Sequence, residues 1–327
     1  MRRLLTVLAL VAVVLPAWQG AAEAASPADG YPARPVKVVI PFAPGGVVDI
    51  MGRLLSQKLA ETFGKNFYVE NVGGAGGNIG VAKAANAAAD GYTLLMTSSS
   101  FVVNPTLQKK ISYDPYKDFA SVTIAAAAPN VVVVNPNDPA KTLQQLVAEI
   151  RSNPGKYSFA SSGTGTTPHL SGELFRLSFN LDMVHVPFTG AGPSLEATVG
   201  GHTPIAFSSL PAAVPLVKGG ALSALAVTSA QRVKALPDVP TMAEAGAPGE
   251  EAETLLFVLF PAGTPKEIVA DVHDAIGKIV QMPDIEKRFD TLGFRPMSVT
   301  PEETAARIRS EIALWAKVIH DANIQQQ

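Results

Sequence analysis

A series of loops in this chain is built almost entirely of glycine, serine and threonine, and these residues can do chemistry. In order they hold Phe42, Ala43, Pro44, Gly45 and Gly46, with Asp49 just beyond; Gly74, Ala75, Gly76, Gly77 and Asn78; Ser98, Ser99 and Ser100; Ser162, Gly163, Thr164 and Thr166, with His169 just beyond; Thr189, Gly190 and Ala191; and Ser208 after Phe207. None of these stretches contains Lys or Arg. Small side chains expose backbone N–H groups, and hydroxyls add further donors. Where such a loop opens a helix, several N–H groups lack a partner and carry about half a positive charge. The chemistry offered is anion binding without a formal cation. Each charge-assisted hydrogen bond contributes about 1.5–3 kcal/mol. A few such loops closing on one carboxylate reach the roughly 8 kcal/mol of micromolar affinity.

Other chemistries fit less well. The triphosphate-binding pattern GxxxxGK[ST] is absent. Gly74, Gly76 and Gly80 have a dinucleotide-like spacing, but the next apolar run ends in serines rather than in the acid that would hold a ribose. His169 beside a Ser/Thr loop raises hydrolysis, yet no GxSxG elbow occurs. There is no cysteine, and the five histidines show no metal-ligand spacing, so neither a metal nor another cofactor is expected. A net charge of -2 with 17% charged residues gives no footprint for nucleic acid. Asp49 has two readings: it braces the loop before it, or it contacts ligand. Phe42, Phe101 and Phe207 near the loops admit an aromatic ligand.

The elements that must position these loops alternate along the chain. Apolar runs at 36–40, 67–70 and 93–97 alternate with helical patterns at 49–63 and 80–89. After a very apolar run at 131–134 the rhythm restarts, with strands at 157–160, 183–187, 204–207 and 224–228 and helices at 142–152, 168–179, 193–199 and 212–218. A strand at 255–260 follows, then helices at 265–279, 283–292 and from 301, with Pro265 and Pro301 each expected at a first helical position. Such alternation predicts an α/β protein with two open sheets, helices on both faces of each, and loops collecting at the strands' carboxyl ends. The runs 131–134 and 255–260 are expected to form a two-strand hinge, with the ligand cleft between lobes. The lobes are expected at 27–128 with 253–327, and at 129–252. Residues 1–24 read as a cleaved signal peptide: Arg2 and Arg3, an apolar core, then a small-x-small site cut after Ala24.

The stretches PFAPGGVVD, NVGGAGGNIG, FASSGTGTTPHLSGELF, VPFTGAGPSL, ALAVTSAQR, LPDVPTMAEAG and PAGTP occur in this order. Together they resemble the substrate-binding proteins of tripartite tricarboxylate transporters, the Bug-type receptors, over essentially the whole chain after residue 24. The resemblance implies a monomeric two-lobed periplasmic binding protein of type II topology, without enzymatic activity. It would hold a small carboxylate and deliver it to two integral membrane subunits. It also implies ligand contacts from 42–49 and 74–78 in one lobe, often through bound water, and from 162–169 and 189–191 in the other. Ser98–Ser100 and 207–209 would complete the walls. Many relatives carry a Trp-containing segment where this chain has Glu253-Thr254-Leu255-Leu256-Phe257, which bears on pocket shape. A receptor presenting ligand to a membrane sensor, and an exported hydrolase, are the alternative readings.

Overall fold

A computed structural model describes residues 30–249, 252–321 and 324–326. The expected signal peptide and its cleavage site lie outside these residues, as do residues 27–29.

The first strands and helices are β1 (Val36–Ile40), α1 (Val47–Phe63), β2 (Phe67–Asn71), α2 (Asn78–Ala85), β3 (Thr93–Ser98) and α3 (Ser100–Leu107). A 16-residue strand, β4 (Phe119–Val134), then leads to α4 (Leu143–Ser152), β5 (Tyr157–Ser161), α5 (Thr167–Ser178), β6 (Met183–Pro187), α6 (Ala191–Val199), β7 (Ile205–Ser209), α7 (Leu210–Lys218) and β8 (Ser223–Val227). The chain returns through β9 (Glu253–Pro261) and finishes with α8 (Lys266–Ile279), α9 (Pro283–Leu292), β10 (Arg295–Pro296) and α10 (Pro301–Asp321).

Two sheets share one strand. The first has the order β2-β1-β3-β9-β4 and the second β6-β5-β7-β4-β8. In each, three parallel strands are followed by an antiparallel one. β4 therefore lies between β9 and the two-residue β10 in one sheet and takes the inserted place of the other. It changes partners between Pro129, opposite Glu253 of β9, and Asn130, opposite Ser209 of β7. Proline lacks the N–H that a continuous central ladder needs, so the interruption falls where pairing is handed over.

The chain crosses between the sheets just before each expected hinge run. Residues 131–134 belong wholly to the second sheet, and 255–260 wholly to the first. The sequence also hid the length of β4, because Ala125–Ala128 carry no β-branched signal. These alanines are fully buried. Their small side chains admit α8 on one face, with Val272 and Ile276, and α10 on the other, with Ile308 and Trp315. Each large apolar side chain so buried contributes about 1.5–3 kcal/mol.

Other differences are local. α1 starts at Val47, which places Asp49 third in the helix. α3 was not expected; Ser98 ends β3 and Ser100 begins this helix, so 98–100 is not a loop. Ser208 and Ser209 likewise end β7. Pro265 is the N-cap of α8 rather than its first residue. Among the described residues no helix is long and apolar enough to cross a membrane.

Candidate functional site

Loops from the two sheets meet face to face. The Ala43 N–H donates to the Thr189 carbonyl at 3.1 Å. A Cβ on Gly76 would lie 2.0 Å from the Thr164 carbonyl oxygen, and one on Gly165 would lie 1.9 Å from Asn104 Oδ1. Only glycine permits these approaches, and both positions have positive φ.

Two neighbouring chambers lie between the loops. The inner one, about 20 Å³, is lined by Phe42, Gly46, Val47, Val48, Ser98, Ser162, Thr166, Thr167, Pro168, Ala191, Ser209 and Thr254. That volume holds roughly one water molecule. The outer one, about 310 Å³, is lined by Phe42, Gly74, Ala75, Gly76, Gly77, Gln108, Ser162, Gly163, Thr164, Pro187, Phe188 and Thr189. Phe42 and Ser162 line both. Neither lining includes a charged side chain.

The inner chamber collects helix N-termini. α1 and α6 begin at Gly46 and Gly190, which offer no side-chain cap, so their first-turn N–H groups lack that partner. α5 also begins here; its N-cap Thr166 accepts from the His169 N–H at 3.4 Å. Ser209, the N-cap of α7, makes no capping bond. Its hydroxyl is buried without any partner, and an unpaired buried hydroxyl is costly. The site therefore presents dipole ends and one idle hydroxyl to whatever enters.

Several expected residues stand behind this wall instead of in it. Asp49 lines neither chamber. Its Oδ2 accepts from the Gly45 N–H and Arg53 Nε, each at 2.9 Å, and its Oδ1 from Asn71 Nδ2 and Arg53 Nη2, each at 2.9 Å. Asn71 also donates to the Phe42 carbonyl at 3.0 Å. Burial disfavours the charge of Asp49, but bonds from Arg53, Gly45 and Asn71 outweigh it and hold the carboxyl below its ordinary range. Asp49 thus braces the loop, and its acceptor positions are filled.

His169 is also outside the chambers. Its Nδ1 accepts from the Gly165 N–H at 3.3 Å, and its ring stacks on His185 at 4.1 Å between centroids. Burial, followed by the neighbouring His185, pushes His169 down to about 3; burial pushes His185 to about 4. Both imidazoles are neutral at ordinary pH. His185 Nε2 lies 2.7 Å from Ser161 Oγ, a Ser–His contact that no sequence motif announced. Ser161 is fully buried and lines neither chamber, which is poor geometry for a nucleophile.

Phe207 is fully buried and packs on Phe159 and Phe175, and Phe101 is stacked on Tyr113. Of the three phenylalanines considered for an aromatic ligand, Phe42 alone reaches the chambers. Ser99 Oγ accepts from the Leu255 N–H at 2.9 Å and anchors the start of β9. Ser100 faces Ser98 at 3.3 Å, and Asn78 Oδ1 accepts from Asn104 Nδ2 at 2.9 Å. Ala43, Pro44, Gly45, Gly190 and Ser208 lie beside the chambers rather than in their linings.

Val47, Val48, Thr167, Pro168 and Ser209 of the inner lining fall inside the ranges 42–49, 162–169 and 207–209 that the resemblance implied. Sequence reasoning missed Thr254 in the inner chamber and Gln108, Pro187 and Phe188 in the outer, although Pro187 and Phe188 directly precede the named Thr189. Gln108 follows the unexpected α3. Thr254 stands at the beginning of a strand, where the carboxyl-end rule does not look. Its hydroxyl is hydrogen-bonded to that of Thr167, and it donates to Asn130 Oδ1 at 3.3 Å. It lies in the segment Glu253-Thr254-Leu255-Leu256-Phe257.

Two sheets of the same strand order, sharing a strand and closing loop against loop, define a periplasmic binding protein. The model of the tripartite tricarboxylate transporter family receptor matches residues 51–324, and the chain belongs to that family. Protein BugT of Bordetella pertussis (strain Tohama I) is 36% identical over 296 residues, covering 90% of this chain and 91% of that one. A solved periplasmic transporter superposes with a TM-score of 0.88 at 41% identity, over 91% of this chain and 100% of that one. The R. palustris protein Rpa4515, solved with adipate, has a TM-score of 0.88 at 33% identity, over 90% and 99% of the two chains.

Proposed function

We propose that this protein captures a small organic carboxylate, either a dicarboxylate or an aromatic acid, between lobes formed by 27–128 with 253–327 and by 129–252. It then hands the ligand to two integral membrane subunits of a tripartite tricarboxylate-type transporter. It works as a monomer in the periplasm, after removal of residues 1–24. One observation carries the ligand class: the uncapped N-termini of α1 and α6 converge with the unpartnered Ser209 hydroxyl on a chamber without charged side chains. Dipoles and neutral donors favour one small anion with few charges, and a carboxylate fits that description better than a polyphosphate. The adipate held by Rpa4515 supports the same class.

The inner chamber has room for about one water molecule, less than the two oxygens of a carboxylate occupy. Ligand entry and seating therefore require the loops to part and close again. Calorimetry against mono-, di- and aromatic carboxylates, with the matching amides as controls, tests the reading. Binding of an acid but not its amide is expected. No heat from any carboxylate at millimolar concentration would overturn it. Small-angle scattering should show contraction when the binding acid is added.

A further inference from the structure

The 161–167 loop divides its N–H groups in an orderly way. The Gly163 N–H donates to Ser161 Oγ at 3.2 Å, the Gly165 N–H to His169 Nδ1 at 3.3 Å, and the Thr166 N–H to the Gly163 carbonyl at 3.3 Å. Among the described residues, the N–H groups of Ser162 and Thr164 have no intramolecular acceptor, and both residues line the chambers. Two of the three internal bonds depend on imidazoles. His169 receives one directly; His185 fixes the hydroxyl of Ser161 that receives the other. The rings hold one another by stacking, and His185 also stacks on Phe159 at 4.9 Å. Accepting at Nδ1 requires His169 to be neutral, with its proton on Nε2.

We infer that His169 and His185 are positioning residues for the carboxylate site: they engage the Gly163 and Gly165 N–H groups from behind, which leaves those of Ser162 and Thr164 for the ligand. The inference rests on the carboxylate-binding reading above. Neither imidazole touches the ligand. Without the Nδ1 acceptor, the Gly165 N–H would be buried and unpaired, and the loop would turn to satisfy it.

The test compares His169→Asn, whose side-chain oxygen can replace Nδ1 as acceptor, with His169→Leu, which has none. Two readouts apply: amide hydrogen exchange at Gly165, and calorimetry with adipate as probe. In His169→Leu, Gly165 exchange should quicken at least tenfold and adipate affinity should fall at least tenfold. In His169→Asn both should stay within about threefold of the parent. His185→Phe, which keeps the stack and loses the bond to Ser161, serves if the leucine variant does not fold; Gly163 exchange should then quicken and affinity fall. The inference is overturned if His169→Leu, or His185→Phe in its place, lowers the unfolding midpoint but leaves amide exchange and affinity unchanged. It is equally overturned if asparagine fails to rescue. Should the parent protein not bind adipate, the choice of ligand fails, and Gly165 exchange still decides whether the imidazole sets the loop.

Discussion

The two facing anion loops are braced by opposite chemistry. Behind 42–46 stands a charged brace, Asp49 with Arg53 and Asn71, on the half-exposed side of α1. Behind 161–167 stands an uncharged one, the buried His169 packed on His185 of β6. The difference follows from solvent. The Arg53 side chain keeps 54% of its surface exposed, so its ion pair with Asp49 forms without stripping water from both partners. His169 is 1% exposed, and a charge there would have no such relief. An acid can thus sit one helical turn from an anion site without repelling the anion, because its charge is already matched. Both braces do one job: each engages backbone N–H groups of its own loop.

The largest expected effect separates the braces by pH. Folded His169 and His185 titrate near 3 and 4, against an ordinary value of 6.5. The unfolded chain therefore binds more protons below pH 6.5. Stability is full above 6.5 and declines as pH falls toward 4. The Asp49 contribution is present above its ordinary carboxyl range and is lost only as pH falls through its lowered folded value. From pH 7 to pH 5 the imidazoles should dominate, costing about 4 kcal/mol between them. Urea unfolding at the two pH values measures this, and His185→Phe should flatten the response. Next in size is the seam between the loops. Gly76→Ala places a methyl 2.0 Å from the Thr164 carbonyl oxygen. It should prop the loops apart, lowering carboxylate affinity about 100-fold, or nearly 3 kcal/mol. Scattering should show an expanded particle that ligand no longer contracts.

Asp49→Ala should destabilise the fold by about 1–2 kcal/mol, since the Gly45 N–H and Asn71 lose their acceptor. Affinity should fall about tenfold, and Asp49→Asn should recover part of it; calorimetry and thermal unfolding measure both. If Asp49→Ala binds as tightly as the parent, the charged brace is dispensable and the comparison breaks. The smallest effect belongs to Ser209→Ala. Its hydroxyl has no partner within the protein, so stability should hold or rise slightly. Carboxylate affinity should drop about three- to tenfold, again by calorimetry.

Much of the site was legible because its chemistry is local. Gly45-Gly46, Gly74–Gly77 and the Ser/Thr run at 161–167 announce themselves by composition, and each follows an apolar run that reads as a strand. Helix starts were off by one or two residues, because α1 begins at Val47 and α5 at Thr167. Phe207 was misread because proximity in sequence says nothing of direction. It lies in the aromatic cluster with Phe159 and Phe175, while Ser209, two residues on, ends at the chamber.

By itself, the sequence determined that small and hydroxyl-bearing residues, not cations, would line the loops, and that strands and helices would alternate around them. Both follow from residue type and near-neighbour spacing. Only the tertiary structure decided which groups behind each loop hold it. Asn71 reaches Asp49 across 22 positions, Thr254 reaches Asn130 across 124, and His185 meets Ser161 through the pairing of β5 with β6. These partners are chosen by sheet order and by one strand serving two sheets. Neither composition nor periodicity encodes that sharing, because it is settled by which apolar faces bury one another.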